Sequence, residues 1–208
     1  MSKLVKEKRD IKNFTNLIIR CIANLEISQS DEESVMIEAL PSSINKIKTE
    51  IDNEKLTVGY TWLGYLWPRK INLYIKLKKL KGIYAYGAAD IKSEGIKTDK
   101  IKLQISGAGK IVMALESKEM VARIYGAGTL LLTGYTDQES VRINGAGDLN
   151  AEGFKAREAS IIITGAGSAK VDAEQALDIR ISGAGEVYYK GNPQINQHIS
   201  GAGKVYKI

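Results

Sequence analysis

Residues 103–111 read LQISGAGKI, and the Gly-Ala-Gly tripeptide within this stretch decides the fold. The 208-residue chain contains six copies of the tripeptide in its second half, with first glycines 18 to 20 residues apart. A period this steady indicates one structural unit stacked on itself. The glycines that it predicts at structural corners are Gly107, Gly109, Gly126, Gly128, Gly145, Gly147, Gly165, Gly167, Gly183, Gly185, Gly201 and Gly203.

Apolar residues recur at fixed distances from each tripeptide. Isoleucine stands two positions before the first glycine in every copy, from Ile105 to Ile199. The position three before the glycine is mostly polar, as Gln104, Arg123 and Arg142 illustrate. Because alternation with a period of two is typical of strands, each repeat is predicted as a strand, a corner, a second strand and a return segment. That unit is one coil of a β-solenoid.

The predicted fold class is therefore all-β, a parallel β-helix or β-solenoid of about six to seven coils. Glycine suits the corners because a residue without Cβ adopts a positive φ at little cost. The alanine between the two glycines is expected to be the largest side chain that fits inside the corner. We expect no amphipathic helix longer than a turn or two between residues 82 and 208.

The first part of the chain lacks the tripeptide but still reads as strands. Alternating apolar runs divided by turn residues predict strands at 17–22, 25–27, 35–37, 47–51, 56–58 and 71–77. An open solenoid end exposes unpaired backbone, which needs a cap. We therefore expect residues 1–81 to form an irregular β layer that caps the repeat solenoid of residues 82–208, in one continuous unit.

Composition disfavours several classes of protein. The net charge is +6, but the 30 Lys and Arg are interleaved with 24 acidic residues, whereas nucleic-acid binding needs a concentrated basic stripe. The single cysteine, Cys21, lies in an apolar run, which indicates a small buried hydrophobe and excludes an intrachain disulfide. No apolar run approaches the ~20 residues of a membrane span. We predict neither a nucleic-acid partner nor a membrane span.

The glycine-rich corners do not fit the known ligand loops. A dinucleotide site needs a third glycine three residues after the second, and a P-loop needs Ser or Thr after Gly-Lys, which Gly109-Lys110-Ile111 lacks. Calcium-binding β-rolls repeat every nine residues. The only histidine, His198, lies on an outward position without a second histidine nearby. We predict no catalytic residue, metal or cofactor, although carboxylates that a carbohydrate-active enzyme could use are present at Asp148, Glu152, Asp172, Glu174 and Glu186.

Two aromatic clusters are the candidate contact sites. Residues 60–68, YTWLGYLWP, hold both tryptophans, and an exposed loop of this composition could bind a sugar, a membrane interface or a protein. The alternative is that the aromatic rings fold back and plug the solenoid end. The candidate ligand or partner contacts are Tyr60, Trp62, Tyr65 and Trp67. Tyr188 and Tyr206 form a candidate self-association strip or a plain aromatic ladder between coils.

The repeats also carry a family resemblance. Ile-Ser-Gly-Ala-Gly followed by alternating apolar residues resembles the head GIN domain family of auto-transporter adhesins, found mainly in the envelopes of Bacteroidetes-type bacteria. The segment 188–193, YYKGNP, with ISGAG at 199–203, is similar to the closing signature of that family, and RDIKNF at 9–14 is similar to its opening. The resemblance implies an exported or lipid-anchored β-helical protein, and it transfers no catalytic residues.

Three functions stay open at the level of the sequence. The leading hypothesis is a non-enzymatic binding or adhesion module that contacts a surface glycan or protein. The second is a self-assembling structural solenoid, which would be a homo-oligomer, and the third is a carbohydrate-active enzyme. Residues 1–9 are charged and contain no apolar core of a secretion signal. The resemblance therefore predicts the cell envelope (periplasm, outer membrane surface or secreted) on condition that an export signal or lipid anchor has been trimmed.

Overall fold

The computed structural model describes residues 3–66 and 68–208 and consists almost entirely of strands. About 75% of it is strand and 4% helix, and its stacked parallel coils form a β-solenoid of about seven turns, which confirms the predicted fold class. The repeat region contains β8 (Gly82–Gly87), β9 (Ala89–Gly107), β10 (Lys110–Gly126), β11 (Thr129–Gly145), β12 (Asp148–Gly165), β13 (Ser168–Gly183), β14 (Glu186–Lys190), β15 (Gln194–Gly201) and β16 (Lys204–Lys207). The N-terminal region contains β1 (Val5–Arg9), β2 (Asn16–Arg20), β3 (Ala23–Gln29), β4 (Ser34–Ala39), β5 (Ile47–Asp52), β6 (Lys55–Tyr60) and β7 (Ile71–Leu77), with short helices α1 (Pro41–Ile44) and α2 (Trp62–Leu66).

The coils stack in register on the tripeptides. Gly126 is the register partner of Gly107 on one side and of Gly145 on the other, and the same pairing continues to Gly201. Side chains at equivalent positions therefore form columns. The isoleucine column is buried from Ile105 to Ile181. Ile199, in the last coil, is 37% exposed because no described strand lies beyond it.

Each corner is closed by the backbone of its neighbour, as the central tripeptide shows. Gly145 has φ 123°, and a Cβ on it would lie 2.6 Å from the Gly126 carbonyl oxygen. A Cβ on Gly147 would lie 2.5 Å from Cγ2 of Ile124 in the core. Ala146 between them is exposed, and its N–H donates to the Gly126 carbonyl oxygen over 3.0 Å. The expectation that alanine fills the corner interior is wrong, because the inward position has no room for a Cβ and the alanine points to solvent.

The N-terminal region is more regular than an irregular layer. Strands β2 and β3 form a coil that pairs in parallel with β8 and β9, with Leu17 opposite Ile83 and Leu25 opposite Ile91. Strands β6 and β7 form a further parallel coil on its outer side. The buried Cys21 stands where the repeats have a glycine corner, and burial raises the pKa of its thiol to about 12.

Antiparallel strands cover the outer side of this last parallel coil. Strand β5 pairs with β6, strand β4 pairs with β7, and β1 pairs with β4. Two edges result: β1, with the sequence VKEKR, is exposed or half-buried along its length, and β5, with the sequence IKTEID, is exposed or half-buried beyond Ile47. Charged residues on an edge strand oppose pairing with another chain. Antiparallel strands with charged edges therefore cover the N-terminal end of the solenoid.

The corner geometry makes opposite predictions for adjacent residues of one tripeptide. Gly145→Ala should lower the free energy of unfolding by at least about 2 kcal/mol, because a Cβ at this φ is strained and meets the Gly126 carbonyl. Ala146→Ser should change it by less than about 0.5 kcal/mol, as is usual at exposed positions. Urea unfolding followed by circular dichroism measures both. Equal stability of the two variants would contradict this account of the corner.

Candidate functional site

Helix α2 occupies a corner of the solenoid. Gly59 of β6 pairs with Arg20, and Ile71 of β7 pairs with Ala23. The segment between β6 and β7 therefore lies beside the β2–β3 corner, which Cys21 and Ile22 make in only two residues. The longer connection projects outward from the outermost parallel coil.

Tyr60 fixes the base of this projection. It is 8% exposed, and its hydroxyl donates to the Arg69 carbonyl oxygen over 2.7 Å and accepts from the Ile22 N–H over 3.3 Å. The Thr61 N–H donates to the Lys46 carbonyl oxygen over 2.7 Å. These bonds tie both ends of the projection to neighbouring backbone. The structure thus places Tyr60 in the core as an anchor for the segment.

The outer side of the projection carries large apolar side chains. Trp62 is 75% exposed, Leu63 56% and Leu66 49%, and we call these three residues the α2 tip. The side chain of Tyr65 and the whole of Trp67 lie outside the described residues. Because three-quarters of its surface is exposed, the Trp62 side chain does not plug the solenoid end. Exposed groups of large apolar residues are typical of surfaces that bind a partner.

The second aromatic cluster is a stacked pair. The rings of Tyr188 and Tyr206 lie 5.0 Å apart at 20° on adjacent strands β14 and β16. The Tyr188 hydroxyl donates to Glu186 Oε2 over 2.8 Å, and this hydrogen bond is the main cause of a raised pKa at Tyr188. Lys170 Nζ lies 5.9 Å from the same ring. Tyr188 is thus an internal member of a ladder, and Tyr206 leaves one face outward.

The last coil has a long exposed edge. All eight residues of β15 are exposed, and the strand pairs in parallel with β13 on one side. Its sequence, QINQHISG, contains no Lys, Arg, Asp or Glu. This edge therefore lacks the charges that protect β1 at the other end.

Three of the five carboxylates considered for an enzyme, Glu152, Glu174 and Glu186, have cationic or phenolic partners. Glu152 lies 3.4 Å from both Lys170 and Lys190, and hydrogen bonding to Lys170 is the main cause of its lowered pKa. Glu174 lies 2.9 Å from Lys155. Within residues 3–66 and 68–208, no group of three His, Cys, Asp or Glu could hold a metal ion. These are the contacts of surface ion pairs.

The comparisons with known proteins agree with this geometry. The model of the family described as "Putative auto-transporter adhesin, head GIN domain" matches residues 13–193. The chain belongs to this family. The resemblance seen in the repeats is confirmed, and no curated protein is similar enough to match. Among the described residues, no helix of this head GIN domain chain is long and apolar enough to cross a membrane.

Three solved structures share the fold of the head GIN domain over its whole length. A "putative adhesin" from Bacteroides fragilis is 21% identical, with a TM-score of 0.93 over 100% of this chain and 98% of its own. A "putative lipid binding protein" from Parabacteroides distasonis is 20% identical, with a TM-score of 0.81 over 99% and 97%. A "putative adhesin" from Parabacteroides merdae is 22% identical, with a TM-score of 0.76 over 99% and 96%.

One ionisable residue inside this head GIN domain escaped the sequence reasoning. Glu139 is 2% exposed, and neither carboxyl oxygen has a hydrogen-bond partner among the described residues. It pairs in register with Met120 on one side and Ala159 on the other. Burial raises the pKa of its carboxyl group to about 8. The sequence does mark this residue as unusual, since the position six before the first glycine of each Gly-Ala-Gly is apolar in the other repeats.

Glu139 makes stability depend on pH. Between the ordinary pKa of 4.5 and about 8, the unfolded chain is ionised at this residue while the folded chain holds the proton. The free energy of unfolding therefore falls as pH rises through this window and levels off above it. At about 1.4 kcal/mol per pKa unit, the loss is on the order of 5 kcal/mol.

We expect Glu139→Met, which copies the residue of the preceding coil, to remove this loss. The variant should be more stable than the parent at pH 8.5 and nearly equal to it at pH 4.5. Urea unfolding at the two pH values measures the difference, with the more exposed Glu158→Gln as the control. If the difference in free energy of unfolding between variant and parent were the same at both pH values, the account of Glu139 as buried and protonated would be contradicted.

Proposed function

We propose that the protein is a non-enzymatic adhesion module of the cell envelope that binds a surface glycan or protein through the α2 tip. The observation that carries the proposal is the exposure of Trp62, Leu63 and Leu66 on a base fixed by Tyr60. Placing large apolar side chains in water is unfavourable, and a tryptophan on a rigid support is a common centre of binding energy. The solenoid then acts as a stiff support that presents this tip at one end.

Membership of the adhesin family supports this proposal and the location that goes with it. We place the mature protein in the periplasm, on the outer membrane surface or outside the cell. The name of the Parabacteroides distasonis neighbour raises lipid as another ligand for the same apolar tip. The exposed Arg69 beside the tip would suit a lipid interface. Glycan or protein binding and lipid binding therefore need separate arms in one experiment.

The full chain should bind immobilised surface glycans or host-matrix proteins, and Trp62→Ala should weaken that binding at least about tenfold. Tyr135→Ala is the matched control, because Tyr135 is also an exposed ring but lies far along the solenoid. Glycan arrays and matrix-coated surfaces supply the measurement.

The lipid arm uses phosphatidylcholine vesicles and the Trp67→Phe variant, which leaves Trp62 as the one indole. A blue shift of its emission with vesicles, together with no binding to any glycan or protein, would overturn the proposed partner. Equal weakening by Trp62→Ala and Tyr135→Ala would overturn the proposed site.

The exposed edge of β15 favours a second candidate function, self-assembly of the solenoid. An uncharged edge strand offers unpaired backbone groups to a second copy, and the outward face of Tyr206 lies at the same end. In this proposal the last coil of one molecule pairs with that of another.

Static light scattering across concentration tests self-assembly. We expect the mass to rise with concentration and Asn196→Lys, which places a charge on the β15 edge, to return it to that of a monomer. Asn150→Lys makes the same substitution on an interior strand and should leave assembly unchanged. A strict monomer at millimolar concentration would exclude this function.

A further inference from the structure

Stacking brings together cations that are far apart in the sequence. Arg123 on β10 and Arg142 on β11 are direct register partners in one outward column, so their strands lie about 4.8 Å apart. Lys102 on β9 stands two residues before Gln104, which pairs with Arg123. We call Lys102, Arg123 and Arg142 the arginine face. Three coils thus present three cations on one side of the sheet that leads into the glycine corners.

These three cations differ from their neighbours in having no acidic partner. On the same side of the solenoid, Lys100 pairs with Glu119 at 2.6 Å, Lys81 with Glu54 at 3.0 Å and Arg180 with Asp178 at 3.3 Å. Lys102, Arg123 and Arg142 form no ion pair within the part of the chain that the structure describes. Like charges on adjacent strands repel one another. The fold therefore holds an uncompensated positive field that an anion would relieve.

The surroundings of the arginine face are rich in hydrogen-bonding groups. Gln104 is one rung away from Arg123 in the same column, and Tyr125 and Asn144 form the adjacent column towards the corner. Beside Arg123, a surface cavity of about 360 Å³ is also lined by Lys102, Lys100 and Glu119. Phenol, amide and charged groups of this kind bind sugar hydroxyl groups as well as carboxylates.

The arginine face is confined to the coils of β9, β10 and β11. The next member of the arginine column is Ile162, and the one after it, Arg180, is neutralised by Asp178. Three cations are too few for the strong, salt-sensitive binding of a nucleic-acid duplex. The aliphatic side chains that border them, Val121 and Ile162, are half-buried, whereas a lipid surface is met by exposed apolar side chains as well as charge.

We infer that the arginine face binds a carboxylate-bearing polysaccharide, with the guanidinium groups of Arg123 and Arg142 paired to its uronate carboxylates. A planar guanidinium donates two parallel hydrogen bonds to a carboxylate, which an ammonium does not. An extended sugar chain lies along the flat strand face and meets cations on successive coils. This site goes beyond the proposed α2 contact, because it uses different residues on a different surface.

The probe is polygalacturonate, with neutral dextran as the uncharged polysaccharide. The full chain should bind polygalacturonate and not dextran, and binding should weaken as salt is raised. The double variant Arg123→Gln/Arg142→Gln should lose at least about tenfold in affinity, since hydrogen bonds to charged groups are worth that much. Arg123→Lys/Arg142→Lys keeps the charge and should lose an intermediate amount. It also provides the readout if the glutamine variant fails to fold.

The matched control removes two cations elsewhere. Lys110 and Lys204 are exposed on strands that follow the corners and have no ion-pair partner among the described residues. Lys110→Gln/Lys204→Gln should keep the affinity within about twofold of the parent. Trp62→Ala should leave polygalacturonate binding intact, which separates this inference from the proposed function.

Three outcomes would overturn the inference. One is the absence of polygalacturonate binding by the parent chain at low salt. Another is an equal loss of affinity in Arg123→Gln/Arg142→Gln and in Lys110→Gln/Lys204→Gln, which would show that only the net charge matters. The third is equal, arginine-dependent binding of duplex DNA or of phosphatidylglycerol vesicles, which would make the face a general polyanion surface.

Discussion

The backbone contact at the glycine corners is the constraint on which the rest of the structure depends. Each corner donates the N–H of its alanine to the carbonyl of the glycine in the preceding coil, over 2.8 to 3.1 Å along the stack. A Cβ on either glycine would meet that carbonyl oxygen or a core isoleucine. The corner therefore fixes both the spacing of the coils and their register. A slip by one residue would turn the isoleucine column towards solvent.

Register in turn converts the sequence into columns, and this is why so much of the fold could be predicted. The isoleucine column, the alternation and the coil count all follow from the positions of the tripeptides. The outward position of the alanine could not be predicted, because the spacing shows where a corner is but not which of its residues points inward. The parallel coils of β2 with β3 and of β6 with β7 have no tripeptide. Buried Leu17 and Leu25 pair with the repeats through packing that no local motif marks.

The candidate sites were less accessible to sequence reasoning. The aromatic composition of residues 60–68 indicates a contact segment. The sequence does not distinguish Tyr60 from Trp62, but in the fold Tyr60 is buried and Trp62 is exposed. The Tyr60 ring is held in the core by hydrogen bonds between its hydroxyl group and the backbone of Arg69 and Ile22, and only folding brings these residues together. In the sequence the cations of the arginine face look scattered, because they are 19 or more residues apart. Their partnerless state depends on where Glu119 and Asp178 lie.

The same constraint explains where function can vary in such a solenoid. Inward positions and corners are fixed by packing, and Glu139 shows the penalty for a polar group there, since burial keeps its carboxyl group protonated far above its ordinary pKa. Outward columns carry no such restriction, so neighbouring coils can place Arg123 beside Arg142 or Tyr188 beside Tyr206 without disturbing the stack. The longer connection that contains α2 lies at a corner of the outermost parallel coil. Binding chemistry in this architecture is therefore expected on outward columns and at coil ends, where a side chain can change without altering the register that holds the molecule together.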